Sequence, residues 1–511
     1  MSNLIELLNR DHPKEKNTSI TDTIREIFKG YSFCNNGDMI TTTLYEKIAD
    51  QIIYQIEQGV LKPGERMLSI RQARLKYRVS ISTILQAYLL LENKGVIESH
   101  PRSGYYICSQ AKALLAEPRL SSPLTVSTEV DVSQLVFEVL SAIKRPGIVP
   151  LGSPFPSPEL FPHQQLNKYI YAMGRRVTPW RAVGDLPPGN EELRRQIARR
   201  YLQKGYLLSP ADIVITLGAT EALNLCLQAV TKPGDTIAIE SPVFYAVLHA
   251  IERLGLKALE IPTHPREGID LTVLASVLKN QRIAACIIMP NFQNPLGSLM
   301  PEQNKQALVK LLAGYSIPLI EDDVYQELYF GEVPPRSAKF YDRKGLVLHC
   351  SSFSKTLAPG YRIGWAIPGR FQNRVEQLKF MNTLSLPPLP QMAVAEYLTH
   401  EAYDRHLRKL RRLFSLQLQQ MLQMINEFFP WGTKLTRPEG GYVLWIELPE
   451  QINALKLYQL ALQHNISIAP GPIFSAQRGY QNCIRLNYGH SWTADYIQAI
   501  KTLGRLATRL S

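Results

Sequence analysis

Ser352-Phe353-Ser354-Lys355, followed by Pro359-Gly360-Tyr361-Arg362-Ile363-Gly364, sets one lysine among hydroxyls with an arginine seven residues on. An amine condenses with an aldehyde only when unprotonated, and serines with an arginine at that range can grip a phosphate dianion. The stretch therefore has the chemistry to hold a phosphorylated aldehyde as a Schiff base. Alone it is weak, because most lysines beside serines are solvated. Two upstream motifs give it weight: Asn294-Pro295-Leu296-Gly297, and Glu321-Asp322-Asp323-Val324-Tyr325 directly after the apolar run Ile317-Pro318-Leu319-Ile320. A short apolar run ending in acids predicts a buried strand whose C-terminal end opens onto a site. A carboxylate there can keep a pyridine nitrogen protonated and make the ring an electron sink. An asparagine amide and a tyrosine hydroxyl can donate to an oxygen on that ring. Taken singly, N-P-x-G reads as a turn and Asp-Asp as a helix cap. Together and in this order, they favour the functional reading.

These residues resemble the fold-type I, aminotransferase-like enzymes that use pyridoxal 5′-phosphate, over roughly residues 131–511. The resemblance implies an α/β fold with a large mixed-sheet domain and a small α/β domain. It implies Lys355 as Schiff-base lysine and proton shuttle and Asp322 as partner of the pyridine nitrogen. Asn294 and Tyr325 would bind the ring oxygen, and Ser352, Ser354 and Arg362 the phosphate. Lys355, Asp322 and Tyr325 form the implied catalytic set. Leu217-Gly218-Ala219-Thr220-Glu221 leads from an apolar run into a helical pattern, and a glycine turn at a helix N-terminus presents free N–H groups to an anion. The family places the cofactor phosphate there, through the Ala219 backbone and Thr220. Glu240-Ser241-Pro242-Val243-Phe244-Tyr245 resembles the segment that stacks an aromatic ring on the cofactor, with Phe244 in that role and Tyr245 as the alternative. Arg485, in Cys483-Ile484-Arg485-Leu486-Asn487-Tyr488, resembles the arginine that takes a substrate α-carboxylate in a bidentate fork. Without the other motifs it would read as a surface ion pair.

At 511 residues the chain is long enough for two or more domains, and 45% hydrophobic with 20% charged residues is a globular composition. It contains no apolar run of membrane-spanning length and no secretory pattern at the N-terminus. The six cysteines are scattered without C-x-x-C spacing; they read as free thiols in a reducing cytoplasm, with no metal site. A net charge of +13 hints at a polyanionic partner.

The front of the chain carries a different pattern. Leu44, Ile48, Ile52 and Ile53 recur at helical spacing, Gly59 and Pro63-Gly64 turn the chain, and Ser69 can cap a helix bearing Arg71, Arg74, Lys76 and Arg78. A third helix, Ile81 to Asn93, precedes two short strands joined by His100-Pro101-Arg102-Ser103-Gly104. Three helices and a basic hairpin make a winged helix-turn-helix, and residues 40–108 resemble the GntR-type DNA-binding domain. The resemblance sets Arg71, Ser80, Ser82 and Thr83 near phosphates or bases, and Arg102 on the wing. Where such domains often carry an arginine after Val-Ser, this chain has Ile81, which shifts base reading away from a bidentate guanine contact. Residues 109–130, poor in aromatics and containing Pro118 and Ser121-Ser122-Pro123, read as a linker. Residues 1–39 form an N-terminal extension with no functional reading. The run Arg405 to Arg412, interleaved with Leu407, Leu410 and Leu413, reads as an amphipathic helix with a basic solvent face rather than a second nucleic-acid surface.

The combination resembles the MocR group of bacterial regulators. It implies a cytoplasmic head-to-tail homodimer that binds a double-stranded DNA operator. The cofactor domain would sense an amino-compound effector or pyridoxal 5′-phosphate itself. The alternative is an active aminotransferase carrying a DNA-binding domain. Such enzymes often have a tyrosine shortly before Pro187-Pro188-Gly189, and Ala182-Val183-Gly184 stand there instead. A third reading, a dimerisation module that has lost its cofactor, is opposed by the intact lysine set.

Overall fold

The computed structural model describes residues 44–511 except 58–59, 63, 94–95, 101–102, 108–114, 179–184 and 401. Arg102, the Ala182–Gly184 position and the N-terminal extension therefore lie outside the described residues. The chain divides into two compact units, meeting in sequence at Ser109 and Gln110.

The first unit is built from α1 (Leu44–Glu57), α2 (Ile70–Tyr77), α3 (Ile81–Asn93) and an antiparallel hairpin of β1 (Ile97–His100) and β2 (Gly104–Ile107). Its core holds Ile48 and Ile52, which the helical spacing singles out, with Ala73, Ile84, Tyr88 and Leu91 from the other two helices and Ile97 and Ile107 from the hairpin; Leu44, of the same spacing, is exposed and Ile53 only partly buried. Ser69 caps α2 through a reciprocal box with Gln72, and Arg78 ends it in a left-handed conformation. The Tyr88 hydroxyl donates to the Leu68 carbonyl at 2.8 Å, tying α3 to the entry of α2.

The second unit holds two sheets. The larger runs β3 (Ser127–Glu129), β6 (Lys257–His264), β5 (Thr236–Ser241), β8 (Ala285–Ile288), β9 (Leu319–Asp322), β10 (Val347–Ser352), β11 (Ile363–Ile367) and β4 (Val214–Leu217), with β7 (Gly268–Ile269) paired to β6. The pairs from β6 through β5, β8 and β9 to β10 are parallel, and β3, β11 and β4 join antiparallel, which makes the sheet mixed. The parallel strands β8, β9 and β10 are buried along their whole length; β8 is wholly apolar, whereas β9 and β10 begin apolar and end in Glu321-Asp322 and Ser351-Ser352 at the edge that carries the site. A smaller antiparallel sheet orders β12 (Lys434–Leu435), β13 (Val443–Glu447), β15 (Cys483–Asn487) and β14 (Ala469–Pro470). The helix Ala402–Phe428 precedes it, burying Leu407, Leu410, Phe414, Leu418, Met421 and Ile425 along one stripe.

One expectation is corrected. Residues 115–130 do not behave as a linker. β3 pairs with β6 at the sheet edge, and Ser121 donates to the Ser241 carbonyl while accepting from Thr263 N–H. Glu117 forms ion pairs with Arg266 and Arg437. Composition misled because serine and proline also suit an edge segment fastened by side-chain hydrogen bonds to a neighbouring strand end.

Candidate functional site

The C-terminal ends of β5, β8, β9 and β10 and the turn after β4 converge on one edge, where an open α/β sheet leaves its crevice. Register fixes who meets whom: Cys350 lies beside Asp322, Ser352 beside Gly364, and Gly364 beside Thr216. Gly364 is required there, since a Cβ would collide with the Gly218 carbonyl carbon. Gly218 itself has φ +77° and abuts the Arg362 guanidinium, so this glycine turn can pass directly beneath the arginine.

Arg362 Nη1 donates to Ser354 Oγ at 3.2 Å, and Ser354 N–H points to Ser352 Oγ at 3.4 Å. Ala219 and Thr220 occupy the first turn of the helix Gly218–Val230, next to that arginine. The positive end of the helix, two hydroxyls and a guanidinium thus surround a seat fitted to a dianion. Glu221 in the same turn would oppose an anion. Its carboxylate is instead engaged by Lys379 Nζ at 2.8 Å and by the Thr383 hydroxyl at 2.6 Å. Sequence reasoning missed Lys379 and Thr383 because they lie over 150 residues downstream.

Lys355 is buried, donating to the Pro154 carbonyl at 2.9 Å and standing 4.2 Å from the centre of the Phe155 ring. Burial brings its ammonium down to about 7, opposed by Asp322 and reinforced by Arg485 and Arg362. Burial likewise raises Asp322 to about 7, with Lys355 pulling the other way. Asp322 Oδ1 has no hydrogen-bond partner, a costly condition for a buried carboxylate. Glu240 nearby is raised by burial to about 8, with the Met289 N–H that it accepts pulling the other way. A protonated ring nitrogen is the kind of donor Asp322 lacks, and a neutral amine is what an aldehyde needs, so these residues fit pyridoxal 5′-phosphate.

A buried chain of polar groups continues outward. Asn294 Nδ2 donates to Tyr325 Oη at 3.3 Å, and Arg485 Nη1 donates to Asn294 Oδ1 at 3.1 Å. Arg485 is fully buried, so the surface-pair reading is wrong for it; its Nη2 donates to the Gly152 carbonyl and its Nε is left without a partner. Burial raises Tyr325 to about 12, keeping it a donor. Phe244 precedes the helix Tyr245–Arg253 and stays half-buried, whereas Tyr245 is buried against Phe474.

The segment 152–157 went unrecognised in the sequence. Asn487 Nδ2 holds the Ser153 and Phe155 carbonyls, Tyr442 Oη holds that of Pro154, and Arg485 that of Gly152. It thereby straps Phe155 over the lysine. The run Gly152-Ser153-Pro154-Phe155-Pro156-Ser157 is the signal that could have found it, since its prolines prevent regular structure. Behind Asp322, a buried trio of Glu321, Asp323 and His349 is held largely by its surroundings: Glu321 pairs with His349 Nδ1 and accepts from the Ala338 and Lys339 N–H groups, His349 Nε2 meets the Tyr201 hydroxyl, and Asp323 Oδ1 accepts from Asn291 Nδ2. It reads as a structural brace between β9 and β10.

In the first unit, the Ser80 hydroxyl lies 2.7 Å from that of Ser82 and 2.8 Å from that of Thr83, and accepts from Thr83 N–H. Three hydroxyls are thereby gathered at the N-terminus of α3, beside the exposed Ile81. Arg71 is exposed in the first turn of α2.

Comparison with known proteins defines the class. Residues 183–501 match the family model for aminotransferase class I and II, and residues 44–107 match that for bacterial regulatory proteins of the gntR family. The chain belongs to the class I and II aminotransferases in their MocR-type form, with a gntR-family winged helix in front. It is 45% identical to an uncharacterized HTH-type transcriptional regulator, YdcR of Escherichia coli K12, across 90% of this chain and 98% of that one. It is 32% identical to 2-aminoadipate transaminase of Thermus thermophilus, over 72% of this chain and 92% of the relative. The crystal structure of LysN, alpha-aminoadipate aminotransferase from Thermus thermophilus, complexed with N-(5′-phosphopyridoxyl)-L-leucine, matches with TM-score 0.66 and 29% identity, covering 75% of this chain and 99% of that chain. The family is generally dependent on pyridoxal phosphate. No helix among the described residues is long and apolar enough to cross a membrane.

Proposed function

We propose that this protein is a transcription regulator that grips double-stranded DNA through its winged helix and reads an amino compound, or pyridoxal 5′-phosphate itself, through the lysine site of its aminotransferase body. The observation that carries the reading is the coexistence of both machineries in one chain whose 45% identical relative is a regulator over nearly its full length. Lys355 would hold the cofactor's aldehyde carbon, Asp322 its ring nitrogen, and Asn294 with Tyr325 its ring oxygen. Phe244 would cover the ring, and Ser352, Ser354, Arg362, Ala219 and Thr220 would hold the phosphate. When bound, the cofactor supplies a carbonyl for amines and a ring that accepts electron density.

The chain's own residues do the rest. Lys355, near neutrality at pH 7, offers a base whose proton Asp322 stabilises. The Phe155 strap keeps water from the amine. A ligand carboxylate taking up Arg485 competes with the Gly152 carbonyl for its donors, so occupancy of the site and position of the strap are linked. In a homodimer, paired winged helices would meet two half-sites of an operator, and a DNA partner sets the protein in the cytoplasm. The presence of Lys355, Asp322 and Arg485 together also keeps amino-group transfer open as a second reading.

The test is a titration of the full-length protein against promoter fragments from around its own gene, with and without a panel of amino acids and amines. The expected result is specific binding that a subset of amines shifts, with the Lys355→Ala variant binding DNA but blind to those amines. Sustained turnover of amino donors without specific DNA affinity would reverse the ranking.

A further inference from the structure

The basic run 405–412 forms the solvent face of an amphipathic helix, as its spacing predicts, and its charges are crowded there. Arg405, Arg408, Lys409 and Arg412 are exposed on the first turns of the helix Ala402–Phe428, and among the described residues no carboxylate forms an ion pair with any of them. They lie three and four residues apart, where like charges on a helix repel, and near the positive N-terminal end of that helix. The nearest acid in the run, Asp404, is occupied by Arg200 at 3.1 Å. The arrangement is unfavourable for the helix by itself, and a polyanion would relieve it.

The side chains also enclose a shape. Arg408, Arg411, Arg412 and Ser415 line an open hollow of about 300 Å³, floored by Phe330 and Gly331. Arg411 is fixed in it: its Nε donates to the Glu327 carbonyl at 2.9 Å and its guanidinium stacks on Tyr329 at 3.9 Å, leaving both terminal nitrogens without a partner among the described residues. A pre-set guanidinium flanked by two free ones and a hydroxyl is a phosphate-binding arrangement.

We propose that this hollow is a second DNA surface that binds the phosphate backbone outside the footprint of the winged helix. The proposal rests on the reading of the protein as a DNA-binding regulator. Arg405 and Arg412 are about 10 Å apart along the helix axis, a span over which a duplex strand presents several phosphates. On that reading the same chain holds DNA through residues 44–107, which match the gntR family model, so a duplex long enough to reach both surfaces would meet the hollow in an intramolecular step. Sequence-independent anchoring would follow, adding affinity and salt dependence without base specificity.

The experiment measures the salt dependence of binding of full-length protein to a long mixed-sequence duplex and to a short one covering a single winged-helix footprint. Each phosphate contact contributes about 0.9 to the slope of log affinity against log salt. The Arg408→Gln/Arg412→Gln variant is expected to lose about 2 from the slope on the long duplex, and nothing on the short one. Arg505→Gln/Arg509→Gln removes the same charge from the exposed face of another helix and is expected to leave both slopes unchanged. Equal losses in the two variants, or none in the first, would overturn the proposal. So would calorimetric binding of pyrophosphate that the first variant abolishes while its duplex slopes stay intact, which marks a small-anion site instead. A wild-type protein with no affinity for either duplex sinks the regulator reading along with this one.

Discussion

Lys355 and Asp322 are each displaced to about 7 from opposite directions, and their effects on stability oppose each other across the pH range. Asp322 has its folded value above its unfolded one, so the stability it gives is present in acid and is lost as pH rises toward 7. Lys355 has its folded value below its unfolded one, so its contribution is lost as pH falls toward 7. The cofactor-free site is therefore least stable near pH 7, where half of the amine is neutral and reactive. Replacing both, as Asp322→Asn/Lys355→Met, is expected to raise the melting temperature of cofactor-free protein more at pH 7 than at pH 5 or 9, by thermal unfolding at the three values. A uniform change would mean that these two groups do not set the profile. Arg485 belongs to the same scale. Its planar fork reaches Asn294 and Gly152 together, which an ammonium cannot reproduce. Arg485→Lys is expected to weaken binding of an α-amino acid by roughly 10–100-fold, as loss of a charge-assisted pair implies, with cofactor retention unchanged on a visible absorbance titration.

At the scale of elements, the site is a meeting of strand ends, and glycine decides how closely they approach. Gly364→Ala drives a methyl group into the backbone of Gly218 and Ala219, and a clash with main chain cannot be relieved by a rotamer change. The expected cost is about 1–3 kcal/mol in denaturant unfolding, together with weakened phosphate binding, because the turn and Arg362 shift together. In the first unit the Ser80 hydroxyl is both cap and member of the exposed cluster. Ser80→Ala should cost about 0.5–2 kcal/mol of local stability and reduce DNA affinity in parallel, as followed by unfolding and anisotropy. The motifs around Ser352–Lys355, Asp322 and Asn294 were legible because each sits within a few residues of a strand end. The strap 152–157 was not, since its role arises from carbonyls held by Asn487, Tyr442 and Arg485, all far away in sequence.

For the molecule as a whole, the boundary between the two units moves toward the N-terminus from where composition put it. β3 and the contacts of Glu117 and Ser121 belong to the aminotransferase body, so a chain begun at residue 131 forfeits an edge strand that one begun at residue 115 retains. The shorter chain is expected to be less stable by roughly 2–3 kcal/mol, from a few hydrogen bonds at ~0.5–1.5 kcal/mol each, by comparative urea unfolding. Equal stability would return residues 115–130 to the role of a linker.

The amino-acid sequence alone determined the two-part plan, the motifs that meet around Lys355, and the three helices and hairpin at the front. These are written in local spacing: an apolar run that stops at an acid, a glycine turn before a helix, serines at fixed offsets from a lysine. Tertiary structure alone decided that Arg485 is buried rather than a surface cation, that Lys379 and Thr383 neutralise Glu221, that Phe155 is strapped over the amine, and that residues 115–130 are docked. Each of these depends on a contact between segments distant along the chain. Which charge meets which partner, and which oxygen is left without one, is set by packing rather than by spacing.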